Sequence, residues 1–266
     1  VAVITIGGMV TECVAGDVDS AGNLVLVGAL AVDAAADRAR LVMRVDPTGA
    51  LDAGFATGGW VGFEQAASWQ LGLDVDVQVD GKILVVGSSI RSWSTPHLTR
   101  LKANGSVDTS FADAGMRWFA DSANDSIGFT FATTRAADGG FALAGWSQGG
   151  ADLLRVTKLL ADGSYDDCFA GDCDRTVTDL EGRRDIPAGN TDRLYAVAEL
   201  AGGGYVTAGY ATIDGERRPV IARLTAAGEL DTSFASNGKR FIDAFVGGDA
   251  IFNDLLALPD GSVLAR

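Results

Sequence analysis

Three observations predict an all-β chain. Matched blocks of residues return in tandem along its whole length, apolar and polar residues alternate with period two, and glycine turns sit at corresponding places in every unit. The architecture they predict is a β-propeller built of four-stranded antiparallel blades, with four complete repeats and partial blades at both ends. A right-handed β-solenoid ranks second, since its coils are shorter and parallel. A β-sandwich has no need of the repeat.

The first repeated element is Gly-x-x-Asp-x-x-Phe, at Gly49, Asp52, Phe55; Gly105, Asp108, Phe111; Gly163, Asp166, Phe169; and Gly228, Asp231, Phe234. Its glycines lie 56, 58 and 65 residues apart. A basic residue stands five places before each, at Arg44, Arg100, Lys158 and Arg223, followed at once by Val45, Leu101, Leu159 or Leu224. The second element is a glycine turn feeding an apolar run that closes on glycine: Gly22 to Gly28, Gly81 to Gly87, Gly139 to Gly145, Gly203 to Gly209, and a start at Gly261. The approximate repeats run 13–71, 72–129, 130–193 and 194–251, with a partial unit at 252–266, in one propeller segment. Val1 aligns with Trp60, so the chain is expected to open on the last strand of a preceding blade. Its end lacks the third strand of a fifth, and a fragment of a longer chain with further blades is expected.

Within a unit, Leu73, Val75, Val77 and Val79 alternate with Asp74, Asp76, Gln78 and Asp80, the pattern of a half-buried strand. Asp80-Gly81 then supplies the positive φ of a tight hairpin leading into Ile83 to Val86. A third strand carries Leu98 to Leu101, and a fourth Met116 to Phe119.

The run Val79-Asp80-Gly81-Lys82-Ile83-Leu84-Val85-Val86-Gly87, with Arg100-Leu101 and Asn104-Gly105-Ser106-Val107-Asp108-Thr109-Ser110-Phe111, resembles the delta-60 repeat family of bacterial proteins. The resemblance covers almost the whole chain. It implies a propeller-like fold, a place in large secreted or cell-surface proteins, and no catalytic activity attached to the repeat. The third unit departs from the pattern at Cys168 and Cys173 and in a longer insertion, Asp174 to Asp192.

Composition excludes several functions. With 35 acidic against 21 basic residues the net charge is −14, which repels nucleic acid and anionic lipid. A single histidine, His97, excludes histidine triads and multi-histidine zinc sites. No apolar stretch reaches the ~20 residues of a membrane-spanning helix, so no membrane insertion is expected in this segment. No nucleophile elbow, phosphate loop or dinucleotide fingerprint stands between a strand and a helix.

Each repeated Asp is expected to accept hydrogen bonds from amides a residue or two further on, with Phe filling the space between blades and the basic residue serving as structural partner. A ring of aspartates holding calcium is the competing reading. A meander places the second and fourth connections of every blade at one end, and there the loops vary: Val32 to Arg40, Ser88 to Pro96, Trp146 to Ala151, Tyr210 to Arg218, Glu64 to Trp69, Asp121 to Ser126, Asp179 to Asp192 and Gly247 to Asp249. Binding residues are therefore expected among Arg91, Trp93, His97, Trp146 and Tyr210. Cys168 and Cys173 enclose four residues, a loop that a disulfide closes in an oxidising compartment; free thiols are the other reading, and zinc lacks ligands beyond Cys13 and His97. Cys13, aligned with Gly72, is expected to be small and buried.

The function these observations support is a non-catalytic binding or structural scaffold, extracellular or at the cell surface, with a protein or carbohydrate partner. A propeller lyase or glycan hydrolase, or a calcium-dependent adhesion module, is the alternative.

Overall fold

The computed structural model describes residues 6, 9–31, 38–63, 69–90, 94–119, 127–147, 152–171, 182–242 and 249–266. Backbone contacts divide the chain into two compact units, Val1–Ser122 and Ala123–Arg266. Among the described residues every element is a strand, turn or bend, and none is helical.

The first unit holds two antiparallel meanders. One is β1 (Val10–Val18), β2 (Leu24–Ala31), β3 (Ala39–Val45) and β4 (Trp60–Phe63); the other is β5 (Trp69–Val77), β6 (Ile83–Ile90), β7 (Ser94–Leu101) and β8 (Met116–Trp118). The second unit repeats the plan with β9 (Ile127–Arg135), β10 (Phe141–Ser147), β11 (Leu153–Leu159) and β12 (Arg183–Ile186). It continues with β13 (Asp192–Glu199), β14 (Tyr205–Ile213), β15 (Glu216–Leu224) and β16 (Lys239–Phe241), and ends in the hairpin β17 (Leu255–Ala257) and β18 (Val263–Ala265). The strand expected at Val1 lies outside the described residues. In the third unit the fourth strand is Arg183–Ile186, inside the stretch expected to be loop. The Lys158 amide donates to Gly182 O just as Arg44 does to Gly59 O, so β12 keeps its pairing after the inserted residues.

Local chemistry explains the repeated glycines. In the β5–β6 turn, Gln78 N donates to Lys82 O and Gly81 N to Gln78 O, and only Gly81 has positive φ, at 80°. The turn is therefore a type I turn closed by a left-handed glycine, with the positive φ expected of Asp80-Gly81 carried by Gly81. The β1–β2, β9–β10, β13–β14 and β17–β18 turns share that bonding, with Gly22, Gly139, Gly203 and Gly261 at the left-handed place. The glycine ending the apolar run has a different cause. The first strand bulges between Cys13 and Ala15, between Gly72 and Asp74, and between Leu194 and Ala196. That brings backbone so near that a Cβ on Gly28 or Gly209 would overlap Glu12 O or Arg193 O.

Within each unit the first strand of a sheet lies across the preceding sheet. β5 packs on β1, β2 and β3; β13 packs on β9, β10 and β11. The alternating apolar residues meet there. In the first unit Val25, Val27, Val42, Val75, Val77, Ile83 and Val85 surround Phe55. In the second, Ala142, Ala144, Val156, Leu194 and Tyr205 surround Phe169. Cys13, by contrast, is exposed and free. Its counterpart Gly72 lies against Val27, and the exposure of Cys13 corrects the expectation of burial.

Phe55 is fully buried, so Phe55→Ala should lower the unfolding free energy by about 3–5 kcal/mol. Val14, 53% exposed, should tolerate Val14→Ser within about 0.5 kcal/mol. Denaturant titration followed by tryptophan fluorescence measures both; equal effects would contradict this packing.

Candidate functional site

The two ends of the sheets differ in chemistry. At the end carrying the first and third connections, each basic residue meets its aspartate: Arg44 with Asp52 at 2.7 Å, Arg100 with Asp108 at 2.9 Å, Lys158 with Asp166 at 3.8 Å and Arg223 with Asp231 at 3.0 Å. The aspartates also accept from amides two residues on, Gly54, Ser110, Cys168 and Ser233. Backbone bonds from Asp52 N to Arg44 O and from Phe55 N to Asp52 O wind the segment into a turn, and the same two bonds recur in all four repeats. The guanidinium carbons of Arg44 and Arg100 lie 4.9 and 4.6 Å from the rings of Phe55 and Phe111. The basic residue and the aspartate of each repeat are thus paired within the chain. Among the described residues no three His, Cys, Asp or Glu side chains gather as a metal site.

At the opposite end, where the second and fourth connections lie, the first unit buries a cation. Arg40, 1% exposed, donates through Nη1 to His97 Nε2 and through Nη2 to Thr99 Oγ1 at 2.7 Å, with its guanidinium carbon 4.9 Å from the Phe63 ring. Among the described residues no carboxylate pairs with it, and its Nε lacks a hydrogen-bond partner. Burial pulls its pKa down to about 9, which leaves it charged at neutral pH. Its side chain crosses β6 at Gly87, where a Cβ would stand 2.6 Å from Nη1. His97 stacks on Trp118 at 4.6 Å, and Gln70 donates to Ser89 Oγ at 2.6 Å nearby.

In the second unit the same end carries arginines laid over aromatic rings. The guanidinium carbon of Arg193 lies 3.5 Å from the Trp146 ring centre, while its Nη1 donates to Asp152 Oδ2 at 2.8 Å. Arg217 lies over Tyr210 at 5.0 Å, Tyr210 is 6.1 Å from Tyr195, and Tyr195 is 4.8 Å from Phe131. Burial first, and then Tyr210, pushes the Tyr195 phenol up. Asp192, fully buried, accepts from Ala188, Gly189 and Thr212 amides and so anchors the chain before β13. Burial nevertheless raises its carboxyl above the usual range.

Of the residues singled out in the sequence, Arg91 and Trp93 lie outside the described residues. His97, Trp146 and Tyr210 sit in strands and are 1%, 7% and 5% exposed, not in open loops. Trp146 and Tyr210 each follow the strand glycine, a position held by Ala29 and Ser88 in the first unit. Sequence reasoning missed Arg40, Arg193, Tyr195 and Arg217. Arg40 carried one signal, a lone charge within the apolar run Ala39 to Met43. Cys168 is disulfide-bonded, and Cys173 lies outside the described residues.

The family described as "Domain of unknown function (DUF5122) beta-propeller" matches residues 78–111 and 203–234. These segments run from a first-connection turn to the buried Phe in the second repeat, and from the corresponding turn to Phe234 in the fourth. A β-propeller repeat family is thereby supported. Among solved structures, native Bacillus subtilis arabinanase is similar at 14% identity with a TM-score of 0.48, covering 89% of this chain and 82% of that one. No curated protein matches.

Replacing Arg40 by Met removes a buried cation that no described carboxylate balances. Arg40→Met should therefore leave stability equal or raise it by about 1–2 kcal/mol, and a loss of that size in urea unfolding would contradict the reading. The turn aspartates set the pH dependence. Hydroxyl donors Thr48, Ser233 and Ser262, joined by backbone amides, hold Asp46, Asp231 and Asp260 below the ordinary value of 3.8. At Asp108 burial opposes this, but Ser110 and Arg100 outweigh it. Such groups bind protons less readily folded than unfolded, so their stabilisation is complete above 3.8 and is lost as pH falls through the lower folded values. Asp192 has the opposite sign and is outnumbered. The urea midpoint should stay level down to about pH 5 and drop below about pH 4; a level midpoint at about pH 2 would contradict it.

Proposed function

We propose that the chain is a stretch of β-propeller of the delta-60 kind, four complete repeats with partial ones at both ends, serving an exported bacterial protein as a non-catalytic binding scaffold. Ligand contacts lie at the end of the second and fourth connections. One observation carries this reading. At a single equivalent strand position the four sheets bear Ala29, Ser88, Trp146 and Tyr210, while the turns at the other end repeat the same ion pair four times. Variation on a uniform frame is how a scaffold acquires a partner without changing its packing.

Carbohydrate is the ligand class we favour. Arginines resting on aromatic rings combine hydrogen-bond donors with apolar faces, the two features that sugars match, and Arg217 is exposed. The bonded Cys168 supports an oxidising compartment. A panel of soluble neutral and acidic oligosaccharides, titrated while following tryptophan fluorescence, tests the reading. At least one should give a saturable change that Arg217→Ala weakens about tenfold or more, with Thr48→Ala at the other end leaving it unchanged. Newly released reducing ends would overturn the non-catalytic assignment, and a panel with no saturable change would overturn carbohydrate as the ligand.

A further inference from the structure

Two strand positions set the aromatic content of the ligand end. The residue that bulges from the first strand lies opposite the strand glycine, and it is Val14, Leu73, Phe131 or Tyr195 in successive repeats. The residue after that glycine is Ala29, Ser88, Trp146 or Tyr210. Both positions are therefore aromatic in each complete repeat of the second unit and in neither repeat of the first. A bulge turns a side chain out of the ladder's alternation. Phe131 and Tyr195 stay half-buried with their rings 4.8 Å apart, and Tyr210 beside Tyr195 is 5% exposed.

The cations beside these rings differ in what occupies their donors. Arg193 lies over Trp146, and its Nη1 donates to Asp152 Oδ2 and to Asp192 O, both at 2.8 Å. Arg217 lies over Tyr210 and is exposed, and among the described residues no carboxylate pairs with its guanidinium. Register explains the difference. Arg217 O accepts from Ala250 N as Arg38 O accepts from Gln70 N, which makes Arg38 its counterpart in the first repeat. Arg38 donates to Glu12 Oε2 at 2.7 Å, and Glu12 lies opposite Ala29. In the fourth repeat the place opposite Tyr210 is held by Arg193, so a second cation stands where the carboxylate would be. The neighbouring acids do not replace it. Asp249 Oδ1 accepts from the Arg217 amide at 3.1 Å, and Glu216 alternates to the other side of β15.

A guanidinium stacked on a ring has only its face occupied, and a carboxylate takes the remaining N–H edge in two parallel hydrogen bonds. We propose that this end of the second unit binds an acidic oligosaccharide, with the carboxylate of a uronic acid on the Arg217 edge and the apolar face of an adjoining pyranose ring on Phe131 and Tyr195. Tyr210 stands between the two places, 5.0 Å from Arg217 and 6.1 Å from Tyr195, so the site spans more than one sugar. The Tyr195 phenol, pushed up first by burial and then by Tyr210, stays neutral beside the anion. The proposal rests on the carbohydrate reading above and narrows it to carboxylated sugars, with the two bulge residues as further contacts. The acidic surplus elsewhere in the chain does not oppose it, because salt confines exposed charges to a range of about 8–10 Å.

Calorimetric titration of the full 266-residue chain tests it with oligomers of galacturonate, glucuronate and mannuronate, each beside its carboxyl-reduced neutral counterpart. At least one acid should bind about tenfold more tightly than its reduced form, by a margin that shrinks as salt rises. Arg217→Gln, at an exposed position, should bring that acid's affinity down to the level of the reduced form. Tyr195→Leu should weaken the acid as well, whereas Val14→Ser, at the matching bulge of the first unit, should not. A neutral oligomer that binds as tightly as its acid, or an undiminished preference in Arg217→Gln, would overturn this proposal and leave the carbohydrate reading standing. No binding by any oligomer would overturn both.

Discussion

A buried phenylalanine held by backbone groups of two successive repeats is the contact on which the rest of this structure depends. Phe55 is wound into place by the bonds of its own turn, and the next repeat closes over it through Gly105 and the bond from Ala56 N to Asn104 O. The same arrangement joins Phe169 to Gly228 and Ala227. A single sheet of this kind covers only part of its apolar face, so stability is a property of neighbouring pairs. Ala56 and Ala170 accept a left-handed backbone for this contact, because only that conformation turns the amide toward the following repeat.

Electrostatics follows the same plan. A chain of net charge −14 tolerates its acidic excess by giving the turn aspartates local donors, first hydroxyls and amides, then a guanidinium or ammonium. These carboxylates are satisfied within a few residues of themselves and hold one end of each sheet in a uniform shape. The other end departs from uniformity. There Arg40 is buried among His97, Thr99 and Phe63, and Arg193 bridges Trp146 to Asp152. Residues that differ between repeats gather where they do not disturb the shared packing.

Much of this was legible in the sequence. Alternation in Leu73 to Asp80, the turn glycines and the spacing of Arg44, Asp52 and Phe55 are local features, and strand, turn and ion pair lie within a dozen residues of one another. The bulge opposite Gly28 and Gly209 was foreshadowed only as an apolar run closing on glycine. The candidate binding residues were less legible, since His97, Trp146 and Tyr210 read as loop neighbours and lie buried in strands.

Sequence alone determined the all-β class, the repeat and the turn chemistry, because each rests on steric and hydrogen-bonding preferences that act between near neighbours. Tertiary structure decided what no local pattern encodes. Arg40 reaches His97 across 57 residues, past a glycine of another sheet. Cys13 stays exposed while Gly72, its counterpart, is covered. Equivalent positions acquire different burial because it is set by whatever sheet lies against them, and that is a relation between distant segments of the chain.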